Sequence, residues 1–259
     1  MTAYLDHKDL ANETIDPARA REIQDGVRSV LDRVAEAERK AGREPGSVRV
    51  LAATKTRDVG EIRAALEAGI RLIGENRPQE VQIKAEPLSG DLQRLQVGYH
   101  LIGQLQRNKI NKVLPWVDTI ESVQSAEQGE QIAKRVPTVL GDDRSVAVFL
   151  EVNESGEESK SGCDPAVAYD QALAIARIPG LRLTGLMTIG AHVSDGTRIR
   201  QGFAALRGLR DRISASGEPG TQDCHELSMG MTHDFPLAIA EGATEVRVGT
   251  GIFGERAFI

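Results

Sequence analysis

A single (β/α)8 barrel with one extra N-terminal helix is the fold class that this sequence predicts, and three observations lead there. Short apolar runs alternate with helical patterns about eight times along the chain. The runs are apolar on both faces, as in parallel strands covered by helices on either side. No composition shift or Pro/Gly/Ser-rich linker divides the 259 residues, so residues 1–259 read as one domain of a length usual for a closed barrel. An open, doubly wound sheet is the alternative arrangement of the same units.

Taken in order, residues 1–15 are polar and expected to be mobile. Asp16-Pro17 opens a helical pattern in which Ile23, Val27, Val30, Leu31 and Val34 recur at spacings of three and four until Gly42. Residues 48–56, VRVLAATKT, read as a core strand. Alternation places Arg49, Leu51, Ala53 and Lys55 on one face and Val48, Val50, Ala52 and Thr54 on the other. Residues 59–68 are helical, with Gly69 as the stop. Further strands are expected at 72–74, 99–105, 119–123, 146–152, 181–189, 225–231 and 245–253. Helices are expected at 78–85, 107–114, 126–136, 165–177, 197–216 and 236–241. Polar residues, Gly and Asp mark 86–97, 153–162 and 191–198 as the more mobile loops. Too few residues follow the last strand for a closing helix, so the N-terminal helix is expected to cover that gap.

Composition excludes several functions. Hydrophobic residues at 40% and charged residues at 27% describe an ordinary globular protein. Aromatics at 3% argue against base-stacking platforms, and a net charge of −6 disfavours binding to a phosphate backbone. No nucleic acid is expected. The first residues lack a signal-type apolar core and no run approaches the length of a membrane span, so a cytoplasmic protein with no membrane partner is expected. Cys163 and Cys224 read as free thiols, and no metal site is expected.

In such a barrel, chemistry sits at the C-terminal strand ends, and closure makes strand one the neighbour of strand eight. Lys55 lies at the exit of strand one. Apolar neighbours that strip water from its ammonium favour the neutral amine, which can attack a carbonyl; a lysine snorkelling from a strand end is the alternative. Gly249, Thr250 and Gly251, at the exit of strand eight, offer open backbone N–H groups and a hydroxyl suited to a phosphate, although a plain glycine turn has the same look. Strand seven brings Ser228 and Gly230 to the same rim. Arg247, one pleat below Gly249, needs an acceptor. A reactive lysine, a phosphate cup and an arginine between them fit pyridoxal 5′-phosphate, with the aldehyde on Lys55, the phosphate on Ser228, Gly230, Gly249 and Thr250, and the ring nitrogen near Arg247.

The motifs LAATKTR at 51–57, GENRPQE at 74–80, HLIGQLQRNK at 100–109, VNESGEESKSG at 152–162, GLMTIG at 185–190, ELSMGMTHDF at 226–235 and RVGTGIFGER at 247–256 resemble those of the pyridoxal-phosphate-binding homeostasis proteins. These are single-barrel relatives of the alanine racemase N-terminal domain. The resemblance runs from about residue 48 to 256. It implies that Lys55 is the Schiff-base lysine and that Asn76, His100 and Met187 line the cofactor ring; Met229 and Met231 of LSMGM are counted among the cofactor-binding residues. Departures are Ala53-Thr54 where the family usually has Val-Ser, Tyr99 where Trp is common, and Gly251 where Ala or Ser is usual.

The resemblance further implies a protein that holds the cofactor for vitamin B6 homeostasis or delivers it to pyridoxal-phosphate-dependent apo-enzymes, with no catalytic residue assigned; a monomer is expected. An amino-acid racemase is the enzymatic alternative. Arginine rather than a carboxylate near the ring nitrogen weakens the ring as an electron sink, since arginine cannot exchange that proton. A racemase also needs a second base. Tyr4, Tyr99 and Tyr169 are not placed to face Lys55, whereas His192 and His233 fall on the rim. Lys160, in the 153–162 loop, is expected either to meet incoming phosphate or to be solvated.

Overall fold

Period-two alternation gives the strands one face toward a barrel interior and one toward helices. The computed structural model describes residues 9–154, 161–190 and 195–255. Its strands are β1 (Arg49–Ala53), β2 (Leu72–Glu75), β3 (Gly98–Leu101), β4 (Thr119–Val123), β5 (Val146–Glu151), β6 (Leu181–Met187), β7 (Glu226–Ser228) and β8 (Glu245–Val248). They form a closed, parallel barrel in chain order. Leu51 stands in register with Leu72 on β2 and with Arg247 on β8. Inside, Leu51, Leu72 and Ile102 form a small apolar plug. Outside, Val50, Ala52, Ile73, Leu101, Val148 and Val246 pack with the helices in the main core.

The helices are α1 (Pro17–Lys40), α2 (Val59–Glu67), α3 (Pro78–Leu95), α4 (Ile110–Val113), α5 (Ala126–Ala133), α6 (Val136–Leu140), α7 (Pro165–Ala176), α8 (Gly196–Ser214), α9 (Phe235–Ala240) and α10 (Thr250–Phe253). Asp16 caps α1 by accepting from the N–H groups of Ala18 and Arg19, with Pro17 in the first turn. As expected of the N-terminal helix, α1 closes the ring of helices, packing on α2, α9 and α10. Gly26 permits the approach, because a Cβ there would stand 2.4 Å from the Ile252 carbonyl oxygen. Arg19 then ties the two ends of the ring, donating to Glu61 on α2 at 2.8 Å and to the Phe253 carbonyl at 2.7 Å.

Several expectations are corrected. The stretch 9–15 is anchored, with Leu10 buried and the Leu10 and Asn12 carbonyls accepting from Val59 and Gly60. The expected loop 86–97 is largely helix, because α3 runs through Pro87 to Leu95. Val81, Ala85, Leu88, Leu92 and Leu95 keep an apolar stripe at spacings of three and four. That burial outweighs the interior proline, which costs about 3 kcal/mol, and Arg63 takes up the Pro87 carbonyl. The expected helix 126–136 is two, α5 and α6, broken at Lys134-Arg135. The expected strand 245–253 ends at Val248, and Ile252 and Phe253 are buried from the short helix α10 instead. Strands β3, β6 and β7 are likewise shorter than their apolar runs. Residues 196–198 of the expected loop 191–198 begin α8, capped by Asp195. Lys160, His192 and Tyr4 lie outside the described residues.

Candidate cofactor site

The interior register that places Leu51 and Ala53 inward carries Lys55 to the barrel mouth. Just past β1, the Thr54 N–H still donates to Gly74 at 3.0 Å, and the Thr54 carbonyl accepts from Arg57 at 3.0 Å to close a turn. Thr56 adopts φ 67° in that turn, a left-handed conformation unusual for a β-branched residue. Half-buried Lys55 lines a cavity of about 400 Å³ together with Asn76, Met231, Arg247, Gly249 and Thr250. The same wall includes Arg57, Ile102, Thr232 and His233.

Arg247 is 6% exposed and held rigidly. It donates to the Ser228 carbonyl and hydroxyl, each at 2.8 Å, and to the Thr188 carbonyl at 2.7 Å. The acceptors that a buried arginine demands are therefore oxygens of β7 and of the end of β6. Below it, inside the barrel, lies a buried polar group. His100 Nδ1 is 2.6 Å from Glu121 Oε1, while the Ser228 hydroxyl lies 2.6 Å from Glu121 Oε2 and 3.1 Å from Glu245 Oε1. Arg49 closes the bottom at 3.3 Å from Glu245 and 3.0 Å from Glu226. Burial lowers the pKa of His100 and raises that of Glu121. Burial, aided by the Glu121 charge, pushes Glu245 up to about 8, so Glu245 keeps its proton at neutral pH.

The site residues expected from the sequence thus fall into two sets. Lys55, Asn76, Met231, Arg247, Gly249 and Thr250 meet at the cavity. Ser228, His100 and Met187 are buried, with Ser228 and His100 in the polar group beneath. Met229 faces the outer core, and Gly230 (φ 91°) accepts from Arg247 N–H through its carbonyl. A Cβ at Gly230 would lie 2.6 Å from that of Ala238. Sequence reasoning missed Thr232 and Arg57. Thr232 follows LSMGM directly, so a hydroxyl one step beyond that motif was the available signal; its oxygen accepts from Gly251 N–H at 3.4 Å.

The donor set suits an anionic, carbonyl-bearing ring. Asn76 Oδ1 is a buried acceptor with no hydrogen-bond partner among the described residues, and at the wall of the cavity it can accept from a polar ligand. The Thr232 and Thr250 hydroxyls and the opening turn of α10 lie at the same wall, where backbone N–H groups lack helical acceptors. Fold and site together define a lysine-bearing single barrel of the alanine racemase type: residues 28–257 match the model for the alanine racemase N-terminal domain. The chain belongs to the pyridoxal phosphate homeostasis protein family. A pyridoxal phosphate homeostasis protein from Aquifex aeolicus is 36% identical over 231 residues, covering 88% of this chain and 96% of that one. Among solved structures, an unknown protein from Bifidobacterium adolescentis is 62% identical with a TM-score of 0.92, covering 95% of this chain and 100% of that one. PipY from Synechococcus elongatus with PLP bound is 33% identical with a TM-score of 0.71, covering 87% of this chain and 100% of that one.

Proposed function

We propose that the cavity holds pyridoxal 5′-phosphate as a Schiff base on Lys55 and that the protein serves intracellular vitamin B6 homeostasis by storing the cofactor and delivering it to apo-enzymes. The observation that carries the reading is the meeting of Lys55, just past β1, with Arg247 of adjacent β8 and with Gly249 and Thr250 that follow it, in one cavity, in a family with a PLP-bound member. When bound, the cofactor supplies an aldehyde carbon for the lysine amine and a ring that withdraws electrons.

The protein's own residues divide the work of holding it. Thr232, Thr250 and the backbone at Gly249–Gly251 receive the phosphate. Asn76 offers its amide to the ring substituents. Arg247, pinned by three oxygens, presents a permanent cation toward the ring nitrogen and cannot trade a proton with it. Such a site favours holding over carbanion chemistry. Met187 and His100 support the wall from beneath. We read the chain as one cytosolic domain, monomeric, with no nucleic-acid or membrane partner. No helix among the described residues is long and apolar enough to cross a membrane.

An amino-acid racemase is the second reading, favoured by His233, which lines the same cavity as Lys55. Chiral analysis of alanine, serine and lysine incubated with cofactor-loaded protein separates the two. The carrier reading predicts no change in enantiomer ratio, and turnover lost on His233→Ala would replace it with the racemase.

A further inference from the structure

The GENRPQE motif contributes Asn76 to the cavity, yet its two carboxylates point the other way. Glu75 on β2, Glu80 and Lys84 on α3 are all fully buried behind the barrel wall, outside the cofactor cavity. Lys84 Nζ donates to Glu75 Oε1 at 2.7 Å, to Glu80 Oε2 at 2.8 Å and to the Thr54 carbonyl at 2.9 Å. The Thr56 N–H donates to the same Glu80 oxygen at 2.7 Å, and the Thr54 hydroxyl to Glu75 at 2.6 Å. The two backbone groups so held belong to the peptide bonds on either side of Lys55.

We propose that the buried Lys84–Glu80 pair, steadied by Glu75, is a preformed clamp on the backbone around Lys55 that fixes the direction of its side chain for Schiff-base formation. This inference rests on the reading of Lys55 as the cofactor lysine. Three features separate a clamp from mere filler. A buried ion pair is costly to desolvate, and apolar residues of the same shape stabilise a core as well or better. Both charged groups spend a hydrogen bond on the residue before or after Lys55. Thr56 is held at φ 67°, a conformation that a β-branched residue keeps only when its surroundings impose it. Glu80 and Lys84 stand four apart on one face of α3, so the helix delivers both halves of the clamp together. Lys84 and Glu80 act through Lys55 and are positioning residues. A misdirected amine slows attack on the aldehyde, because reactivity at a bound carbonyl depends steeply on approach.

The test uses the full chain in two ways. In the wild-type, cofactor-free protein, the Thr56 amide should already be protected from hydrogen exchange, and its protection should change little on loading. Free exchange that becomes protected only with cofactor would overturn a preformed clamp. The variant E75Q/E80Q/K84M removes every charge at near-constant shape and leaves no buried unpaired ion. Its Schiff-base absorbance with pyridoxal 5′-phosphate should form about tenfold more slowly or more weakly than wild type, with circular dichroism and the affinity for pyridoxine 5′-phosphate, which lacks the aldehyde, unchanged. Unchanged Schiff-base formation, or an equal loss for both ligands, would reject the clamp. Should the wild type form no Schiff base, the reading of Lys55 fails, while the exchange experiment still decides whether the backbone clamp exists.

Discussion

Two buried polar clusters support the cavity from opposite sides of the barrel wall, and they hold different things. The inner one, His100–Glu121–Ser228–Glu245, sits among side chains, and through Ser228 it steadies the guanidinium of Arg247. The outer one, Glu75–Glu80–Lys84, reaches the main chain and brackets Lys55. The difference follows from what each residue must do. Arginine presents a fixed planar fork and is oriented by acceptors placed around that fork. Lysine ends a flexible stem with a single amine, so its direction is set largely where the stem leaves the backbone. The clusters also differ in composition: the inner one gathers two carboxyl groups around a histidine, whereas the outer one sets a lysine between two carboxyl groups, of which burial pushes Glu75 up to about 7.

The sharpest way to break the comparison is Lys84→Met alone. It leaves Glu75 and Glu80 buried without a counter-charge, and urea denaturation should show a loss of about 3–5 kcal/mol. The neutral triple variant should recover most of it. Next in size is Gly26→Ala, which drives a methyl into the Ile252 carbonyl and loosens the α1–α10 contact beside the Gly249–Thr250 rim. The expected loss is about 1–3 kcal/mol by the same assay.

The inner cluster should reveal itself through pH. Glu245 rises from 4.5 to about 8 on folding because burial disfavours its charge. The folded chain therefore binds the extra proton between those values, so this contribution to stability is complete below pH 4.5 and fades as pH rises through 8. Thermal unfolding followed from pH 5 to 8.5 should decline more steeply for wild type than for Glu245→Gln. A parallel decline in both would place the titration elsewhere. The smallest effect belongs to Pro87→Ala, which restores an N–H inside α3 while keeping the carbonyl that Arg63 holds. Relaxation of the helix around the proline and the unfolded-chain freedom that alanine restores reduce the gain below the full helix cost, to about 1–2 kcal/mol, without change in the Thr56 amide protection.

Much of this was legible in the sequence because it depends on local pattern. Repeating strand and helix periods implied the closed barrel, and alternation from Leu51 to Lys55 pointed the lysine at the cavity. The apolar stripe of the N-terminal helix pointed to a packed helix, and α1 closes the ring on α2, α9 and α10. What escaped depends on partners distant in the chain. Ser228 has the hydroxyl that a phosphate cup needs, but Glu121, 107 residues away, draws it inward, and Thr232 stands at the wall instead. The apolar pair Ile252 and Phe253 extends the β8 pattern equally well as strand or as the helical turn it becomes. Pro87 reads locally as a helix stop, and burial of the stripe from Val81 to Leu95 against the core reverses that. The clamp was invisible for the same reason: Glu80 and Lys84 look like an ordinary exposed i, i+4 pair until α3 is laid against Thr54 and Thr56.

The most direct measurement is borohydride reduction of the protein after loading with pyridoxal 5′-phosphate, followed by peptide mass mapping. The account predicts the pyridoxyl phosphate adduct on Lys55 and its disappearance in Lys55→Ala. An adduct confined to other lysines, with Lys55 unmodified, would contradict it.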